Sequence, residues 1–132
     1  MSEINKRLLI MGNSAIARGD YQAFLSICSD DTVWEFMGEK TLRGKAEVRA
    51  YMEQHYLQPP VLKVSHLIAE GDMLTAIGEI SLLGEDGNWT DYHYCDLWEF
   101  RDGLLETLKA FVVEKIKCSS AIGPLIPLSI SF

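Results

Sequence analysis

One carboxylate stands on an otherwise aromatic face of residues 88–101, and its position is the strongest chemical signal in the chain. Alternate side chains of a β-strand point to the same side. The nearest residues that would share a face with Asp96 are aromatic: Tyr92, Tyr94, Trp98 and Phe100. A carboxylate among rings either accepts hydrogen bonds or has a raised pKa, because burial disfavours its charged form. Both arrangements are common in ligand pockets, so the segment predicts a pocket with Asp96 as its acid or base.

The preceding turn predicts which residues face this carboxylate. An Asp-Gly pair, residues 86–87, is typical of a two-residue hairpin loop. In the resulting register, Ile77 lies opposite Asp96 and Glu79 lies opposite Tyr94. Ile77 and Glu79 are therefore predicted pocket residues.

The next turn, at residues 102–103, predicts which residues of the last strand face the pocket. A two-residue loop at 102–103 would place Glu99 directly opposite Glu106, and like charges in that position repel. A three-residue loop with a bulge at Gly103 avoids the repulsion and is the expected form. In that register two apolar residues of the last strand join the pocket, opposite Asp96 and Tyr92 respectively: Leu108 and Val112.

The elements around this sheet are predicted from caps and breakers. Ser2 and Asp20 are typical N-caps of a first and a second helix, and Gly19 is a typical stop between them. A short strand is expected over 32–37, and a third helix follows Gly44 and must end before the prolines at 59–60. The remaining residues indicate strands. The predicted fold class is α+β, with three helices covering the concave face of a curved antiparallel sheet.

Several sequence runs resemble one known superfamily. They are Arg-Gly-Asp (18–20), Ser-Asp-Asp-Thr-Val-Trp-Glu-Phe (29–36), Thr-Leu-Arg-Gly-Lys-Ala-Glu-Val-Arg-Ala-Tyr (41–51), Glu-Gly-Asp (70–72) and Phe-Arg-Asp-Gly (100–103). Between residue 4 and about residue 115, the chain resembles the SnoaL-like polyketide cyclases and ketosteroid isomerases. The resemblance implies their cone-shaped, nuclear transport factor 2-like fold, and a cofactor-independent isomerase or lyase if the protein is an enzyme.

The resemblance also implies roles for particular residues. It puts Glu35 where the isomerases hold a general base, and Asp96 where they hold a protonated carboxyl that donates to an oxyanion. The SnoaL-like cyclases place their acid-base carboxylate on the same part of the sheet as Asp96. The isomerases' first-helix tyrosine would fall near Gly12, which has no hydroxyl, so Tyr92 or Tyr94 would have to donate instead.

Two kinds of function are compatible with these residues. The first is proton transfer next to a carbonyl of an apolar polycyclic or polyketide-like substrate, the step that isomerisation, aldol cyclisation and dehydration share. The second is a noncatalytic ligand-binding or dimeric assembly domain. In the second case Asp96 would accept a hydrogen bond inside the protein, and bulky Tyr92, Tyr94 and Trp98 would fill the cone.

Composition and motifs limit the kinds of partner and cofactor that are expected. The length of 132 residues predicts one domain, and the net charge of -7 disfavours nucleic acid and anionic membranes as partners. The domain is expected over 1–118, and the apolar residues after it, which extend past the resemblance, predict an extension over 119–132 that packs on the same domain or on the dimer partner. The sequence has no metal-ligand spacing of His or Cys and no Gly-rich phosphate loop, so no metal or other cofactor is expected. Cysteines that are odd in number and widely spaced, with no signal peptide, indicate a cytoplasmic protein.

A homodimer is the expected assembly. The predicted register puts an apolar set on the outer face of the sheet, too apolar for free exposure. Its members are Ile80, Leu82, His93, Cys95 and Leu97.

Overall fold

The computed structural model describes residues 2–116, which form three helices and one six-stranded sheet. The helices are α1 (Ser2–Ala17), α2 (Tyr21–Leu25) and α3 (Gly44–His55). The strands are β1 (Cys28–Phe36), β2 (Lys40–Arg43), β3 (Val61–Glu70), β4 (Met73–Leu83), β5 (Trp89–Arg101) and β6 (Leu104–Glu114). The apolar extension predicted over 119–132 lies outside the described residues.

Local hydrogen bonds explain the helix boundaries. The Asp20 carboxylate accepts a hydrogen bond from the Ala23 N–H at 3.1 Å, which caps α2 as predicted. Helix α3 ends where the Tyr56 N–H donates to the Met52 carbonyl at 2.9 Å, ahead of the two prolines. The predicted start of α2 and the predicted end of α3 are therefore confirmed, and α3 begins at Gly44, one residue earlier than predicted.

The strands form an open, curved sheet in the order β2-β1-β6-β5-β4-β3. Helix α1 packs against β3 and β4, and α3 packs against β1 and β2. The predicted α+β fold with helices on the concave face is thus confirmed, but the sheet is mixed because β1 runs parallel to β6. Turn signals fix the direction of sequential hairpins only, so they gave no information on this non-sequential pair.

The first of the two long hairpins has a different register from the predicted one. Its loop has three residues, Glu85 to Gly87, and the Gly87 N–H donates to the Gly84 carbonyl at 3.0 Å. Gly87 takes the left-handed conformation with φ +84°, which closes a three-residue loop. One extra loop residue shifts the pairing by one position, so Ala76, and not Ile77, lies opposite Asp96.

The second long hairpin also departs from the prediction, with a milder effect. Its loop has two residues, Asp102 and Gly103, both with positive φ, and a bulge in β6 places Thr107 opposite Glu99. The Glu99–Glu106 repulsion is thus avoided by the bulge and not by a longer loop. The register differs from the expected one by two residues beyond the bulge, so every side chain of β6 there keeps its predicted face.

Among residues 2–116, no helix combines the length and the apolar character that crossing a lipid bilayer requires.

Candidate functional site

A cavity of about 540 Å³ lies between the concave face of the sheet and the three helices. Trp34, Trp98 and Phe24 meet edge to face at one side of it, with ring centroids 5.5 to 6.3 Å apart. The exposed residues 37–40, at the turn between β1 and β2, also line the cavity. The aromatic residues therefore line the cone without filling it.

Asp96 lies in the wall of this cavity, on β5. Its neighbours across the sheet are Ala76 on β4 and Ala110 on β6, and these small side chains leave the space above them open. Burial raises the pKa of Asp96 from 3.8 to about 7. Within residues 2–116, no hydrogen bond or ion pair reaches its carboxylate. Asp96 is thus a carboxyl group that exchanges its proton near neutral pH and whose oxygen atoms are available to a ligand.

Besides Tyr92, three tyrosines with raised pKa values line the cavity together with Asp96. Burial, and then the charge of Asp96, raise the pKa of Tyr94 to about 12. Burial, and then the charges of Glu39 and Tyr92, raise the pKa of Tyr51 to about 12. Burial is also the main cause of the raised pKa of Tyr56, which follows α3. All three hydroxyls stay protonated at neutral pH and serve as hydrogen-bond donors.

An aromatic stack forms the wall contributed by β1 and α3. The rings of Phe36 and Tyr51 stack with centroids 4.8 Å apart, and the His55 ring lies 4.3 Å beyond Tyr51. The Lys40 ammonium lies over the Tyr51 ring, 5.7 Å from its centroid. His55 Nε2 is covered and has no hydrogen-bond partner among the described residues. These rings give the cavity an aromatic wall.

Most predicted pocket residues of β5 and β6 lie at the cavity, together with Asp96. They are Tyr92, Tyr94, Trp98, Leu108 and Val112. Ile77 and Glu79 were predicted to line the pocket, and that prediction is wrong. The pairing of β4 with β5 differs by one residue from the predicted register, which turns both side chains to the outer face of the sheet. The inward positions of β4 belong instead to Ala76, Ile80 and Leu82.

Two acidic residues that were predicted to belong to the site, Glu35 and Glu79, do not line the cavity. Glu79 forms an ion pair with Lys115 at 3.0 Å, and that hydrogen bond lowers the pKa of Glu79. Glu35 lies between Trp34 and Phe36 on β1, and because both of these neighbours line the cavity, strand alternation points Glu35 to the opposite face. There it pairs with Thr41 and Lys109 on the adjacent strands. The structure thus does not bring Glu35 together with Asp96.

Sequence reasoning missed Tyr56, although a signal for it existed. Val48 and Met52 are fully buried on the inner side of α3, and Tyr56 continues their four-residue spacing. Asn13 on α1, which also lines the cavity, had no comparable signal.

Among residues 2–116, no three His, Cys, Asp or Glu side chains come together as metal ligands do.

Solved structures define the class of fold. An NTF2-like protein from Burkholderia pseudomallei has a TM-score of 0.74 and 20% identity, over 83% of this chain and 90% of that one. A proposed polyketide cyclase from Xanthomonas campestris has a TM-score of 0.73 and 17% identity, over 83% and 90%. TerC, crystallised with polyporic acid, has a TM-score of 0.71 and 19% identity, over 81% and 89%. The TM-scores establish a shared nuclear transport factor 2-like fold, and the low identities support nothing finer.

The family is established by sequence. The model of the SnoaL-like domain matches residues 12–107, so this chain belongs to the SnoaL-like domain family. No curated protein is significantly similar to it.

Proposed function

We propose that this protein binds an apolar, ring-containing small molecule and transfers a proton next to one of its carbonyl groups. One observation carries the proposal: the Asp96 carboxylate has no partner within residues 2–116 and lies in an aromatic cavity of about 540 Å³. Pockets of this volume accept molecules of drug size. An unpaired carboxylate in such a place costs stability, and a ligand that uses it compensates for that cost.

The chemistry follows from the state of Asp96. With a pKa of about 7, the carboxylate is basic enough to remove a proton from a carbon next to a carbonyl, and acidic enough to return it. The enolate oxygen that forms needs hydrogen-bond donors, which the tyrosine hydroxyls of the cavity supply. Isomerisation, aldol cyclisation and dehydration all begin with this step.

Two relatives support the ligand class. The Xanthomonas campestris protein is a proposed polyketide cyclase, and TerC was crystallised with polyporic acid. Both share the fold, and the aromatic walls here suit ring compounds of the same general kind. Alternatively, the same cavity binds such a compound without chemistry, and the two functions differ in whether Asp96 moves a proton of the bound molecule.

A fluorescence titration tests the proposal. Naphthols of graded acidity, which mimic an enolate, are added to wild type and to Asp96→Leu, with the tryptophans at the cavity as reporters. We expect affinity to increase with naphthol acidity, and to fall about 10-fold or more in the variant because a charge-assisted hydrogen bond is lost.

The matched control is Asp91→Leu. Asp91 lies on the same strand but faces outward, where it accepts a hydrogen bond from Ser81 at 2.6 Å. The control should bind like wild type. Equal affinities for all naphthols, unchanged in Asp96→Leu, would refute an acid-base site.

We further infer that the protein is a homodimer through the outer face of the sheet. The corrected register changes the residues concerned, since Ile80 and Leu82 face the cavity. Ile77, Cys95 and Phe111 instead form a row of directly paired residues across β4, β5 and β6. Ile77 and Phe111 are exposed in one chain, and a second copy would cover them.

A further inference from the structure

A hydroxyl donor cannot come from the first helix at Gly12. A Cβ atom there would lie 2.8 Å from side-chain carbons of Phe24 and Ile27, so the packing of α1 on α2 leaves no space for a larger residue. A tyrosine donor to an oxyanion in this cavity must therefore come from another element.

Tyr56 is held rigidly at the end of α3. Its backbone N–H donates to the Met52 carbonyl at 2.9 Å, which fixes the main chain. Its ring packs against Tyr21 and Tyr51, with centroids 5.7 and 6.2 Å away. A side chain with two packed ring contacts and a fixed backbone is preorganised for hydrogen bonding.

The Tyr56 hydroxyl is available to a ligand. Tyr56 lines the cavity, and its hydroxyl makes no hydrogen bond with any residue of 2–116. The hydroxyl oxygen is not fully covered by protein atoms. A buried hydroxyl without a partner costs free energy that a bound oxygen atom would recover.

Tyr56 and Asp96 both line the cavity, and the charge of Asp96 acts on Tyr56. Burial, then the charge of Tyr51, then the charge of Asp96 raise the pKa of Tyr56 far above its ordinary value. Tyr56 belongs to the helix layer and Asp96 to the sheet, so a ligand group between these layers can contact both. Tyr56 also remains a donor when Asp96 is ionised.

We propose that Tyr56 is a catalytic residue, which donates a hydrogen bond to the carbonyl oxygen of the ligand while Asp96 moves the proton. Asp96 takes a proton from the carbon next to the carbonyl, and the electron pair of that C–H bond moves to form the enolate, whose oxygen accepts the hydrogen bond. Asp96 then returns the proton to carbon, so Tyr56 itself loses none. This role rests on the proposed function.

The test compares Tyr56→Phe with Tyr21→Phe in the naphthol titration. Tyr21 contacts the Tyr56 ring but does not line the cavity, so its variant controls for packing. We expect Tyr56→Phe to lower affinity for the most acidic naphthol about 10-fold and to weaken the dependence on acidity. The absorbance of bound naphtholate gives a second readout: the pKa of the bound naphthol should rise by about one unit in Tyr56→Phe and stay unchanged in Tyr21→Phe.

The outcomes separate the two proposals. If Asp96→Leu weakens binding but Tyr56→Phe matches wild type in affinity and in naphthol pKa, the role of Tyr56 is refuted and the proposed function stands. If Asp96→Leu has no effect while Tyr56→Phe weakens binding, the Asp96 chemistry fails and Tyr56 is only a binding residue. Absence of naphthol binding by the folded wild type would refute both.

Discussion

Asp96 makes the protein's stability depend on pH. Burial raises its pKa from 3.8 to about 7, so between these values the folded protein holds a proton that the unfolded chain has released. The free energy of unfolding therefore falls as the pH rises through this range. With about 1.4 kcal/mol for each pKa unit, the loss amounts to about 4 kcal/mol at most.

Replacing Asp96 by Asn should remove this dependence. Asn is uncharged at every pH, so Asp96→Asn should resemble wild type at pH 4 and exceed its free energy of unfolding by about 2–4 kcal/mol at pH 8. Urea unfolding at both pH values measures the difference. Asp91→Asn, on the outer face, should change little. If wild type and Asp96→Asn respond equally to pH, Asp96 is not desolvated as described.

At the scale of elements, a bulge in β3 contributes to the curvature of the sheet. The pairing of β3 with β4 shifts by one residue between Val64 and His66. Bulges increase local twist and bend the strand, as a concave wall requires. Across from this bulge, β4 carries Gly78, where a Cβ atom would lie 2.0 Å from the Lys63 carbonyl oxygen. Glycine is needed here because of close backbone approach.

Gly78→Ala should therefore disturb the bulge. The added methyl group collides with backbone, which is less able to move than a side chain, so we expect a loss of about 3 kcal/mol in the free energy of unfolding. Gly38→Ala is the control: nothing lies within 4 Å of its added methyl group, and its left-handed φ of +79° costs about 1 kcal/mol. Chemical unfolding measures both. A smaller loss for Gly78→Ala than for Gly38→Ala would contradict the steric account.

At the scale of the whole molecule, the outer sheet face should join two chains. Phe111 is 44% exposed and Val113 is 64% exposed on this face. Phe111→Glu would put a charge into the interface and should convert the dimer to a monomer. Light scattering after size-exclusion chromatography measures the mass. Ile4→Glu, at an exposed apolar position on α1, should leave the dimer intact. A monomeric wild type would refute the assembly.

Short-range rules determined much of this protein from sequence alone. The cap at Asp20 and the prolines after α3 fixed helix ends, because capping and proline geometry act within a few residues. Strand alternation fixed the common face of Tyr92, Tyr94 and Asp96, because the period of two is a property of one strand. For the same reason, the two-residue error in the predicted β5–β6 register left each β6 side chain beyond the bulge on its predicted face.

Only the tertiary structure determined the features that depend on how separate helices and strands are arranged. One extra residue in the loop before Gly87 sent Ile77 and Glu79 outward, since an odd shift inverts every side chain of a strand and the Asp-Gly pair fits loops of either length. The parallel pairing of β1 with β6 and the approach of Tyr56 to the cavity join distant parts of the chain. Whether the cone was open depended on Ala76 and Ala110 flanking Asp96, and only the pairing of three strands brings those small residues beside it.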